Sequence, residues 1–166
     1  MNYKIREMLK EDIKQVQDVA KISWNATYEG IIPVEIQENF LNGAYSDEMM
    51  ERRLKHSLIL VAEADNTITG FANFTQVNEQ GQVELSAIYL YPEYQGEGIG
   101  SALLNAGIEK LDNVKEIHLD VEKENRIGKT FYEAKGFKAV KEYDDDFDGH
   151  ILKTVRMLLV LGRNTK

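Results

Sequence analysis

A mixed α/β architecture, built around one mostly antiparallel sheet of about seven strands, is what this sequence predicts, and three observations carry the prediction. Hydrophobic periodicity changes along the chain in the order strand, helices, three strands, helix, strand, helix, two strands. Two short turns, Asp65-Asn66 and Glu79-Gln80-Gly81, join the three consecutive strands, and turns that short imply an antiparallel meander. A 43% hydrophobic content over 166 residues can fill one core. No repeat, low-complexity tract or Pro/Gly/Ser linker divides the chain, so residues 1–166 read as a single domain.

Residues 3–7 read as the first strand. Ile13, Val16, Val19 and Ala20 recur at helical spacing, which predicts a helix over residues 11–24. Gly30-Ile31-Ile32-Pro33 interrupts it, and Pro33 can open a short second helix. Ser46-Asp47 resembles an N-cap for a third helix ending near His56. Strands follow over residues 58–64, 67–77 and 82–91. After Pro92 comes a glycine-rich turn and a helix over residues 99–111. Residues 116–121 read as a strand and 126–135 as a helix. Two last strands, residues 137–143 and 151–161, are joined by an acidic segment that ends in Asp148-Gly149.

Composition removes several classes of function. With no cysteine there is no disulfide framework, thiolate zinc site or cysteine nucleophile. His56, His118 and His150 show no metal-ligand spacing, so no metal is expected. A net charge of -8 and a pI near 5.0 disfavour a phosphate backbone as partner, and nucleic acid is not expected. No apolar h-region follows the N-terminus, and no apolar run approaches the ~18 residues that span a bilayer. The expectation is a cytoplasmic protein without a membrane partner.

The sharpest local feature is Tyr94-Gln95-Gly96-Glu97-Gly98-Ile99-Gly100-Ser101, between a strand and a helix. The first N–H groups of a helix lack internal partners and carry positive partial charge, so they bind phosphate. Glycines let that backbone approach a pyrophosphate without intervening side chains. A P-loop would need its second glycine where Ser101 stands and a lysine after it, and the chain has neither. A dinucleotide fingerprint is met by Gly96 and Gly98 but again fails at Ser101, and the meander replaces the βαβ unit it requires, although Asp120 lies at a distance suited to a ribose. The spacing of Gln95, Gly98 and Gly100 meets a third pattern, Q/R-x-x-G-x-G/A. A ligand-free turn is the remaining reading.

A second motif separates these alternatives. Asn125, Phe131, Tyr132, Gly136 and Phe137 fall at the positions of N-x-x-A-x-x-F-Y-x-x-x-G-F. The two motifs together resemble the GNAT superfamily of acetyl-CoA-dependent N-acetyltransferases, strongly from Glu84 to Phe137 and in element order elsewhere. Gln95 stands where arginine is frequent, and Gly128 where a small alanine is usual, which should weaken that helix slightly. The resemblance implies the GNAT fold, with helices on both faces of the sheet, and acetyl-CoA as cosubstrate.

It also implies roles for residues. Backbone groups of Ile88, Tyr89 and Leu90 would pair with the pantetheine arm, on a strand that splays from its neighbour. Amides of Gln95, Gly96, Glu97, Gly98, Ile99, Gly100 and Ser101 would hold the pyrophosphate. Asn125 would hydrogen-bond the pantetheine or the acceptor end. Tyr132 matches the tyrosine that faces the thioester sulfur. A phenol of pKa ~10 donating to a thiolate of ~8.5 is uphill by about 2 kcal/mol in water, so Tyr132 suits a general acid or a hydrogen-bond donor. An acceptor ammonium of pKa ~10.4 must first lose a proton, at a cost of roughly 4.6 kcal/mol at pH 7. Glu84, on the strand beside the cofactor, is the candidate base, with direct attack lacking an assigned base as the alternative.

The segment from Ser23 to Pro33 resembles the helix-loop-helix lip that borders the acceptor in bacterial GNAT members. Trp24 and Tyr28, four apart, share a helix face and could line an acceptor pocket or pack the helix on the sheet. The acidic run Glu142, Asp144, Asp145, Asp146 and Asp148 is either a cation-attracting rim or a solvated edge. Overall similarity to bacterial polyamine acetyltransferases makes a small amine, such as a polyamine, the expected acceptor. A protein N-terminal or lysine acetyltransferase and a non-catalytic acyl-CoA-binding module are the alternatives. A homodimer formed by strand exchange or edge pairing stays open.

Overall fold

The structure, a computed structural model, describes residues 2–162. In chain order the elements are β1 (Lys4–Glu7), α1 (Ile13–Tyr28), α2 (Val34–Ala44), α3 (Asp47–His56), β2 (Leu58–Ala64), β3 (Thr67–Phe74), β4 (Gln82–Leu90), α4 (Ile99–Lys110), β5 (Glu116–Glu122), α5 (Arg126–Ala134), β6 (Lys138–Phe147) and β7 (His150–Val160). The seven strands form one sheet in the order β1-β2-β3-β4-β5-β7-β6. Every neighbouring pair is antiparallel except β4 and β5, which run parallel. A mixed α/β fold with a mostly antiparallel sheet is therefore what forms.

Turn chemistry explains the hairpins. Asp65 and Asn66 both take positive φ, 52° and 62°, as does Asp148-Gly149 at 51° and 83°. Paired left-handed residues of this kind match the twist of two antiparallel strands. Ser46 caps α3, its hydroxyl accepting from the Met49 N–H at 3.1 Å.

Three boundaries differ from expectation. α1 does not stop at Trp24 but continues to Tyr28, because Tyr28 buries its ring against Trp24 at 4.4 Å between centroids. The middle strand of the meander, β3, ends at Phe74 rather than 77. The acidic segment is not a connecting loop: Glu142 to Phe147 belong to β6, paired across to β7, and only Asp148-Gly149 turns.

Alternation divides the core between two faces. One face packs α1, α2 and α3 on Ile59, Val61, Phe71 and Ala87. The other packs α4 and α5 on Leu60, Ala62, Phe74, Ile117, Leu119 and Val121. α4 sits close to the sheet at Gly107, where an added Cβ would lie 2.2 Å from the Phe74 ring. Since Ile117, Leu119 and Val121 point toward α4, the intervening His118, Asp120 and Glu122 point to the opposite face.

Candidate active site

β4 and β5 are paired only at Gln82–Glu84 with Glu116–His118. Beyond that they separate, while β4 stays paired to β3 as far as Leu90. The β5-facing backbone edge of Ile88, Tyr89 and Leu90 is thus free of a strand partner, a gap suited to an amide-bearing chain. At the end of the gap lies the glycine turn. Gly96 and Gly98 take φ of 84° and 82°, a conformation that favours glycine. Gly98 is the N-cap of α4 and offers no side-chain cap to the first amides. Gln95, Gly96, Glu97 and Gly98 are exposed, and nothing lies within 4 Å of a Cβ built on either of those glycines. Uncapped amides under open space fit a pyrophosphate. Gly100 has a different purpose: its Cα faces the Phe131 ring, 3.2 Å from where a Cβ would sit, so α4 and α5 meet closely here.

α5 carries the second motif. Asn125 is its N-cap, the side-chain Oδ1 accepting from the Gly128 N–H at 3.0 Å. A Cβ at position 128 would fall 2.8 to 3.1 Å from that amide, which accounts for glycine where alanine is usual. Tyr132 stands half-buried between Phe131 and Phe137, with centroids 5.5 and 5.7 Å away. Burial raises its pKa well above the usual phenol value, and the nearby charge of Glu122 raises it further. It is a protonated donor at neutral pH.

On the opposite sheet face, Arg156 of β7 gathers carboxylates. Its guanidinium donates to both Glu84 oxygens at 3.0 and 3.2 Å and to Asp120 at 3.0 Å. Glu84, the expected base, is therefore held as one half of a bidentate ion pair, which occupies oxygen lone pairs that a base would need. Asp120 also takes the Tyr143 hydroxyl, whose pKa burial and Asp120 push up to about 12.

Glu122, two residues along β5, is the group that the sequence reading missed. The Tyr28 hydroxyl donates to its carboxylate in a hydrogen bond that ties α1 to β5. Burial raises the Glu122 pKa above its ordinary value, Asp145 and Asp120 add to the rise, and the Tyr28 hydrogen bond opposes it. Tyr89 and Tyr132 lie close enough to feel its charge. An alternating strand Ile117-His118-Leu119-Asp120-Val121-Glu122 signals one apolar and one polar face, but not that the last polar position is covered by α1.

Trp24 is buried, stacked on Phe40 at 4.4 Å and near Phe147 at 5.8 Å, and its Nε1 donates to the Tyr89 hydroxyl at 2.9 Å. This sets Tyr89 and Tyr28 on one packed wall beside Glu122. An open cleft of about 690 Å³ runs past the end of β5, between the α1–α2 loop and α5, lined by Ile31, Lys123, Arg126 and Thr130. Of the acidic run, Asp145 shares a strand face with Tyr143 and Phe147, towards Asp120 and Glu122, whereas Glu142 and Asp144 pair outward with Lys123 and Lys153. Among the described residues no group of three or more His, Cys, Asp or Glu could hold a metal ion, and no helix is long and apolar enough to cross a membrane.

Comparison with known proteins agrees with this geometry. The profile of the acetyltransferase (GNAT) family matches residues 17–137. Spermidine N(1)-acetyltransferase of Thermoplasma acidophilum is 34% identical over 155 residues, covering 89% of this chain and 95% of that protein. The crystal structure of PaiA N-acetyltransferase from T. acidophilum in complex with coenzyme A superimposes with a TM-score of 0.84 at 31% identity, over 97% of this chain and 100% of the other. YncA from Salmonella typhimurium, solved with acetyl-CoA, shares the fold at a TM-score of 0.71 and 21% identity, over 99% and 96% of the two chains. Motifs, fold and relatives converge: the chain belongs to the GNAT family and is an N-acetyltransferase that uses acetyl-CoA.

Proposed function

We propose that the acceptor is a small polyamine of the spermidine kind. The observation that carries this reading is the acid-rich sheet face opposite α4 and α5, whose Glu122 charge reaches Tyr132. There Glu84, Asp120, Glu122 and Asp145 outnumber the cations Arg156 and Lys141. Such a face favours a substrate with several ammonium groups over a neutral or anionic amine. The spermidine acetyltransferase of T. acidophilum supports the same reading.

In this proposal the amides of Gln95 to Ser101 hold the pyrophosphate, and the free edge of Ile88, Tyr89 and Leu90 takes the pantetheine arm. Asn125, its Oδ1 committed to the cap, offers its amide N–H groups. Acetyl-CoA brings an activated acyl carbon. Tyr132 supplies a proton or a hydrogen bond where the sulfur departs. Tyr28 and Trp24 form the acceptor-side wall.

The test is a thiol-release assay with acetyl-CoA across putrescine, spermidine, spermine, amino acids, aminoglycosides and basic peptides. The expected outcome is turnover with polyamines, and Tyr132→Phe lowering kcat by about 10²-fold with acetyl-CoA binding intact. Turnover confined to another amine class would remove the polyamine assignment.

A further inference from the structure

Glu122 sits where neither of the family's two motifs reaches, and four observations converge on it. It closes the free edge of β5, opposite the unpaired stretch of β4. Its carboxylate is gripped by Tyr28 from α1. Its charge bears on Tyr132 from α5 and Tyr89 from β4. Unlike Glu84 and Asp120, it is outside the Arg156 ion-pair network. A carboxylate outside the Arg156 ion pairs, held by one phenol and near enough to a second for its charge to be felt, is placed to exchange protons at the same point where an acyl group changes hands.

Resting on the acetyltransferase reading above, we infer that Glu122 is the catalytic residue that takes the proton from the acceptor ammonium, with Tyr28 as its positioning residue. The ammonium proton moves to the Glu122 carboxylate and leaves a neutral amine. As the nitrogen–carbon bond forms and the carbon–sulfur bond breaks, with its electron pair leaving on sulfur, Tyr132 delivers its proton to the sulfur. Tyr132 then recovers a proton from the nitrogen, which becomes the amide, and Glu122 returns its own proton to water. The balance is one amide, one thiol and one released proton.

The two steps are coupled by one charge. While Glu122 is ionised it opposes formation of a phenolate at Tyr132. Once Glu122 has taken the acceptor's proton it is neutral, and Tyr132 can release its proton more readily. Deprotonating the amine thus prepares the acid.

The groups facing Glu122 are Tyr28 on α1, Tyr89 on β4, Asp120 on its own strand, Tyr132 on α5, Asp145 on β6 and the cross-strand Thr154 on β7. Asp145 and Asp120 are the other carboxylates among them, and their charges raise the Glu122 pKa. The Tyr28 hydrogen bond lowers it. Removing that hydroxyl must therefore move the Glu122 titration to higher pH.

The test compares wild type, Glu122→Gln and Tyr28→Phe with spermidine and acetyl-CoA across pH, alongside NMR titration of ¹³C-labelled glutamate and tyrosine. In Glu122→Gln, kcat is expected to fall about 10²- to 10³-fold with unchanged acetyl-CoA binding, and the acidic limb of the kcat profile to disappear. One glutamate signal that titrates above the rest should vanish, and Tyr132 should titrate at lower pH than in wild type. In Tyr28→Phe the acidic limb should move to higher pH. If wild type turns over while Glu122→Gln keeps its rate and acidic limb, the inference is overturned and the family assignment stands. If wild type turns over no amine at all, the proposed function fails instead. Should Glu122→Gln not fold, the position of the limb in Tyr28→Phe decides alone: an unmoved limb rejects the role.

Discussion

Glu122 bears a cost that reveals its purpose. A carboxylate whose pKa is raised in the folded state binds its proton more tightly folded than unfolded, so ionising it works against the fold. Stability is unaffected by this group below its unfolded pKa, near the ordinary 4.5, and declines as pH rises through the folded value. Glutamine keeps the shape and an oxygen for the Tyr28 hydroxyl but cannot ionise. Glu122→Gln should therefore melt at a higher temperature than wild type at pH 7, with the gap closing as pH falls towards 4.5. Calorimetry of the two proteins across pH measures this, and a variant less stable than wild type at pH 7 would show that the ionised side chain holds the fold together. Asp12 contrasts with it. Arg6 donates to both of its oxygens at 2.7 and 3.0 Å and the Leu9 N–H donates at 2.7 Å, so its pKa is lowered and its charge stabilises the fold above the ordinary 3.8. One buried acid supports the structure, and the other is retained in spite of it.

Among the elements, α5 depends most on a single residue. It is nine residues long and buries none of them fully, so its start matters more than in a longer helix. Asn125→Ala removes the Oδ1 that accepts from Gly128 and should cost about 1 kcal/mol in chemical denaturation. Because α5 also carries Tyr132, the same change should raise the KM for acetyl-CoA. A variant as stable as wild type would mean that the cap is not holding the helix. Elements set by local signals were legible in the sequence. The strand at Leu58–Ala64 ends at Asp65-Asn66, two residues that readily take positive φ, and α4 begins where glycines and then Ile99 succeed each other. Elements set by tertiary contact were not. α1 runs on to Tyr28 because the hydroxyl of that residue reaches Glu122 on β5, and Asp144 to Asp146 form a strand because β7 supplies the partner. The site divides in the same way. Glycines and the Asn125–Tyr132 spacing are contiguous and readable, whereas the Arg156–Glu84 pair spans 72 residues and the Tyr28–Glu122 pair 94. A strand acid gives no sign in one dimension of what will cover it.

For the whole molecule, the question is how its charge reaches the substrate. A net charge of -8 alone reports mostly solubility, since exposed charges are screened beyond about 8 Å at physiological salt. What turns charge into recognition is its placement. Glu142, Asp144 and Asp146 on β6 project outward, two of them into ion pairs with lysines 123 and 153, while Asp145 projects inward beside Asp120 and Glu122. Arg156 neutralises the Glu84 end of the same face, so the uncompensated acid lies towards Glu122, Asp145 and the β6–β7 hairpin. An extended polycation should therefore place its reacting nitrogen at Glu122 and its far ammonium towards Asp145. Two consequences can be separated by experiment. Raising ionic strength from about 20 to about 200 mM should lower kcat/KM for spermidine several-fold and leave kcat nearly unchanged, because screening acts on encounter and binding rather than on the acyl transfer. Asp145→Asn should raise the KM for spermidine and flatten that salt dependence, with kcat for a short monoamine little altered. If salt and Asp145→Asn leave the spermidine KM where it was, the far ammonium does not use this face, and the acid-rich strand serves only to keep the β6 edge solvated.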